Sequence, residues 1–99
     1  MFAFSQDVPI DRDMYARIMA GVGDEPIAGQ VIHLCIELEG GGLRYIDVWE
    51  SQQAYETAVH ERIHPAVAAA LGSARPSSEP TSTPLTVIDV RGNAVATAV

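Results

Sequence analysis

The sequence predicts an α+β fold, in which an antiparallel four-stranded sheet carries two helices on one face. Three observations predict it. Two apolar, β-branched runs, "VIHLCIEL" at 31–38 and "LRYIDVW" at Leu43–Trp49, flank the glycines of "EGGG", as in a hairpin. Apolar residues recur at helical spacing on either side of it, at Tyr15, Ile18, Met19 and Val22 and again at Tyr55, Ala58, Val59 and Ile63. Strand-like segments open and close the pattern. The order is then β-α-β-β-α-β, a split βαβ arrangement with its helices on one side.

Taken in order, Phe2–Val8 alternates enough to be a strand, and Pro9 ends it. Asp11 is placed to cap the first helix, which Gly21 and Gly23 close. After the loop "GDEPIAG" comes the hairpin. Ser51 then caps the second helix, with Ala54 at the margin of its stripe. Pro65 is expected to bend or stop that helix at His64, because it lacks an N–H and disfavours helical angles in the residue before it. "PAVAAALG" resumes as a second helical piece ending at Gly72. Residues 73–84, rich in Ser and Pro, read as a loop, 85–91 as the last strand and 92–99 as a tail. The whole of 1–99 is expected to be one domain.

The hairpin sorts chemistry onto two faces. With a loop at 40–42, position 39 pairs with 43, His33 faces Trp49, Cys35 faces Asp47 and Glu37 faces Tyr45. One face then carries His33, Cys35, Glu37, Tyr45, Asp47 and Trp49. The other carries Ile32, Leu34, Ile36, Leu38, Ile46 and Val48. The polar-aromatic face is expected under the helices, with Tyr55 looking in, the reverse assignment of the two faces being the alternative. The aliphatic face is expected to pack on a second copy of the chain, making a homodimer.

Composition narrows the partners. The net charge is −7 and the six basic residues are scattered, which argues against nucleic acid. The same charge repels anionic membranes, and no run reaches the length of a membrane span. The first 13 residues lack the basic start and apolar stretch of a signal peptide. Cys35 is the single cysteine, which excludes an intrachain disulfide and fits the cytoplasm.

Residues 60–64 read "HERIH", the H-E-x-x-H pattern in which two His on one helical face hold zinc and the Glu activates water. That chemistry needs an unbroken helix through both His and a third ligand. Pro65 follows His64, and downstream carboxylates are confined to Glu79 and Asp89. A zinc hydrolase is therefore not expected, and neither a metal site nor a cofactor is assigned.

The junction "DVWESQQAYETAV" resembles that of the dimeric α+β barrel proteins, a ferredoxin-like group that includes antibiotic-biosynthesis monooxygenases and heme-degrading monooxygenases. In them an aromatic-rich strand ends in Trp-Glu-Ser, and the helix that follows carries a small residue and then an aromatic. Trp49, Glu50, Ser51, Ala54 and Tyr55 match in order. The resemblance implies a homodimer of sheets packed face to face, with a small-molecule pocket between sheet and helices. It also implies that Trp49 and Tyr55 line that pocket, as in the cofactor-independent quinone-forming members. Tyr45 stands where those members place an Asn, and no Arg matches theirs. Gln6 stands near the first-strand Asn of the heme degraders, and Ala58 and Ala68 occupy their Trp and His positions, which argues against heme.

The expected activity is cofactor-free oxidation or isomerisation of an aromatic or polyketide-like substrate. His33 or Asp47 would take a proton, and Tyr45, Trp49 and Tyr55 would hold the ring. A carboxylate near His33 would tune it as a proton acceptor. The competing expectation is a non-catalytic binding or dimerisation module whose pocket is filled by its own side chains.

Overall fold

The structure, a computed structural model, describes residues 1–72 and 81–92. Its elements run β1 (Phe2–Val8), α1 (Arg12–Val22), β2 (Gln30–Glu37), β3 (Leu43–Trp49), α2 (Gln52–Ala58), α3 (His64–Leu71) and β4 (Ser82–Leu85), with a π-helical turn at Val59–Ile63 joining α2 to α3. The strands form one antiparallel sheet in the order β2-β3-β1-β4. This is an α+β fold.

Local chemistry sets the helix ends. The Asp11 carboxylate accepts from the Met14 N–H at 2.8 Å and the Ser51 hydroxyl from the Ala54 N–H at 3.1 Å, each satisfying a donor that the first turn leaves unpaired. Gly23, at φ 88°, closes α1 by donating its N–H to the Met19 carbonyl.

The hairpin forms, but its register is two residues from the expected one. His33 pairs with Asp47, Cys35 with Tyr45 and Glu37 with Leu43. The cause is the turn. Leu38 donates to the Gly42 carbonyl and Gly41 to the Leu38 carbonyl, while Gly40, Gly41 and Gly42 all take positive φ. Three successive residues in that region require glycine, so the chain reverses across 39–41 rather than 40–42. A slip of two keeps each side chain on its expected face, whereas a slip of one would have exchanged the faces.

The second helix does not stop at His64. His64 is helical at φ −57°, ψ −45°, and its N–H reaches back five residues to the Val59 carbonyl. The wider π turn takes up the residue that Pro65 would otherwise force out of the ladder, and it gives the ring room beside the preceding turn. The rod therefore continues into α3.

The last strand also differs. It lies at Ser82–Leu85, pairing Gln6 through Ala3 of β1, and 86–92 have no regular structure. The register that sets Leu85 opposite Ala3 carries residues from 87 onward past Phe2, where β1 begins, so "VIDV" has no strand to pair with. Ile88 is 92% exposed. Pro84 is tolerated because β4 is an edge strand. Of the expected loop, 73–80 lie outside the described residues, as do 93–99 of the tail.

Both helical units cover the face that holds Trp49, Asp47 and His33. Phe4, Trp49 and Ala58 form the centre of the core, with Phe2, Ile27, Ala54, Tyr55 and Ile63 against them. α1 packs on α3, where Gly21 lets the Ala66 backbone approach closely. On the opposite face Leu34 and Ile36 are 45% and 42% exposed, and Leu85 on β4 is 41% exposed. Among the described residues, no helix is long and apolar enough to cross a membrane.

Gly29 is a point of strain-free close approach. It sits at φ 83°, and a Cβ there would lie 2.4 Å from that of Ala54. Gly29→Ala is expected to destabilise the fold by about 1–3 kcal/mol through clash and backbone strain together. A lower urea midpoint at unchanged m value checks this.

Candidate acid–base site

β2 and β3 set His33 and Asp47 directly opposite each other on the helix-covered face. His33 Nδ1 is hydrogen-bonded to Asp47 Oδ1. Asp47 is 6% exposed, on a central strand. From α1, the Tyr15 hydroxyl donates to His33 Nε2 at 2.8 Å. A carboxylate has no hydrogen to give, so the imidazole hydrogen is assigned to Nδ1 and Nε2 presents its lone pair to Tyr15. The three groups form a linear chain: hydroxyl, imidazole, carboxylate.

Neighbours fix the imidazole. The Tyr15 ring lies nearly parallel to it, at 9° and 6.1 Å between centroids. Tyr45 meets it edge-on at 5.1 Å and 63°. Burial, first, and the negative charge of Asp47 among other groups push the Tyr15 hydroxyl up to about 12, so it remains a protonated donor. Burial likewise raises Tyr45. It raises the Cys35 thiol too, although a hydrogen bond with Tyr15 works the other way, and that leaves Cys35 a poor nucleophile at neutral pH.

The expected site residues thus divide into two groups. His33, Asp47 and Tyr45 come together. Trp49 and Tyr55 lie in a separate aromatic cluster with Phe2 and Phe4, where Tyr55 meets Trp49 at 5.5 Å and Phe4 at 4.9 Å. Trp49 is 1% exposed, and its buried indole N–H has no hydrogen-bond partner among the described residues. Sequence reasoning missed Tyr15. It stood in the apolar stripe of α1, and the available signal was that a hydroxyl-bearing aromatic on a core-facing stripe needs a partner from the sheet.

A cleft of about 410 Å³ opens between α2 and the segment before β2, lined by Ile27, Ala54, Ala58, Glu50, Glu61 and Arg62 among others. None of the five expected site residues lines it. Arg62 is occupied there, donating to the Val22, Glu25 and Pro26 carbonyls at 2.6–3.2 Å. His60 and His64 are both exposed on the helical rod, and the described residues contain no group of three His, Cys, Asp or Glu side chains able to hold a metal ion.

Compared with known protein families and with characterised proteins, the chain matches none.

Proposed function

We propose that this protein is a homodimeric α+β barrel of ferredoxin-like connectivity that abstracts a proton from carbon in a small aromatic or polyketide-like ketone, without a cofactor. The observation that carries the reaction is the hydrogen-bonded chain Tyr15–His33–Asp47, in which the carboxylate holds Nδ1 and Nε2 faces the Tyr15 hydroxyl in the helix layer. When a substrate carbonyl takes the Tyr15 hydrogen bond, Nε2 is released to accept the proton from the adjacent carbon. The C–H bond breaks, an N–H bond forms, and the electron pair moves onto the oxygen held by Tyr15. Asp47 stabilises the imidazolium. Return of the proton to another carbon completes an isomerisation, whereas capture of the carbanion by dioxygen would lead to oxidation.

Deuterium wash-in at the acidic carbon of a phenolic polycyclic ketone tests the step by NMR. Exchange that depends on the protein and is abolished by His33→Ala supports it. Exchange at the buffer rate, or exchange unaffected by that substitution, contradicts it.

The fold assignment draws support from β3 lying between β1 and β2, with β4 on the far side of β1. The dimer draws support from the aliphatic face. Leu34, Ile36 and Leu85 lie exposed on one face, with Ile32 and Ile46 half-buried beside them, an apolar patch of the kind that marks an interaction surface. Pairing two such sheets buries it on both chains, as in sheet-on-sheet packing. Leu34→Glu combined with Ile36→Glu is expected to convert the dimer to monomer, read by sedimentation at several concentrations. A wild-type chain that sediments as a monomer throughout contradicts the proposal.

A further inference from the structure

We propose that Tyr15, His33 and Asp47 also act as a nucleophile, a base and its orienting group, so that Tyr15 accepts an acyl group from an activated ester and releases it to water. This goes beyond carbon-acid chemistry at the same residues and rests on the same assignment of His33 as a base. The geometry points to it. A hydroxyl lies 2.8 Å from the lone pair of an imidazole, and a buried carboxylate holds the opposite ring nitrogen. Those are the relations that define activated hydroxyl nucleophiles on unrelated folds, with a phenol here in place of an alcohol. Tyr15 comes from a helix and its partners from two strands, so secondary structure holds all three groups.

In the first half-reaction the Tyr15 O–H bond breaks and its proton moves to Nε2 as the oxygen forms a bond to the acyl carbon. The carbonyl π pair moves to oxygen. It returns as the bond to the leaving group breaks, and the imidazolium N–H supplies that group's proton. In the second, water loses a proton to Nε2, its oxygen attacks the acyl carbon, and the Tyr15 oxygen leaves and regains its hydrogen. Atoms and charge balance with water as the only co-substrate. Burial raises the Tyr15 hydroxyl, so its aryl ester hydrolyses more slowly than an activated ester acylates it, and the acyl-tyrosine accumulates before water releases it. Arg12, three residues before Tyr15 on α1, is held by Glu37 through two hydrogen bonds, so its guanidinium is already engaged. With that guanidinium engaged, the acyl group is an uncharged one.

The chain suits the test. Its six basic residues are all arginine, so no lysine competes for an acyl probe. Cleavage after Arg12 and Arg17 isolates residues 13–17, "DMYAR", in which Tyr15 is the only hydroxyl or thiol. The full chain is incubated with p-nitrophenyl acetate, following p-nitrophenolate release and mapping acetyl groups by peptide mass. Expected are a burst approaching one equivalent and an acetyl group on 13–17. His33→Ala should slow the burst by roughly 10²–10⁴, and Tyr15→Phe should abolish the adduct. Acetyl groups found only on the N-terminus, Cys35 or another tyrosine overturn the proposal, as does a full burst from Tyr15→Phe. Mapping the wild-type chain decides the matter even if a variant fails to fold. Deuterium wash-in without acetylation of Tyr15 overturns this inference alone, whereas loss of both reactions also overturns the acid–base reading.

Discussion

Trp49→Ala is expected to lower the free energy of unfolding by about 3–5 kcal/mol, the range for truncating a large aromatic at a closed core position. Trp49 is the largest fully buried side chain among the described residues, and it joins β3 to α2 through Tyr55 and Ala58 and to β1 through Phe4. A chain of this length has a net stability of roughly 5–15 kcal/mol, so the loss removes a large part of it. Far-ultraviolet dichroism in urea gives the change, since the substitution deletes the only tryptophan. Trp49→Phe should lose much less. It keeps an aromatic in the cluster and removes an indole N–H that has no partner among the described residues, a group whose desolvation costs about 1–3 kcal/mol when left unpaired. Equal losses for the two variants would mean that the indole N–H has a partner after all.

Asp47→Asn should leave the fold largely intact and lower the rate of deuterium wash-in by roughly 10²–10⁴. The side-chain amide is close in shape to the carboxylate but can turn its NH₂ toward His33 Nδ1. The imidazole then carries its hydrogen on Nε2, and no lone pair faces Tyr15 or a substrate. The amide also withdraws the charge that stabilises an imidazolium. The loss should fall on kcat more than on KM, because the effect acts on the proton-transfer step. An unchanged rate would mean that His33 acts without Asp47.

Particular residues show where the sequence was legible. Phe2–Val8 and Leu43–Trp49 were recognisable from alternation and flanking breakers, and Asp11 and Ser51 from capping chemistry. These features are local, set by backbone preferences within a few residues. The division of hairpin residues between two faces was also legible, because it depends only on parity. The pairing itself was not, since it hangs on which of three adjacent glycines make the turn. Pro65 misled for a related reason. Its cost is local, but a π turn five residues wide absorbs it. "LTVIDVR" has the composition of a strand, yet a strand needs a neighbour of matching extent and β1 begins only at Phe2, opposite position 86. At the site, His33 and Asp47 emerged from the face assignment. Tyr15 did not, because its approach to His33 depends on how α1 packs over the sheet, a tertiary relation that helical spacing does not encode.

The proposed chemistry turns on the state of one imidazole. A long-range ¹H–¹⁵N correlation spectrum of the labelled protein near neutral pH reads it directly. The expected result is a His33 ring protonated at Nδ1 and bare at Nε2, with a slowly exchanging Nδ1 hydrogen that disappears in Asp47→Asn. A His33 ring protonated at Nε2, or one averaging freely between tautomers in the wild-type chain, would contradict it.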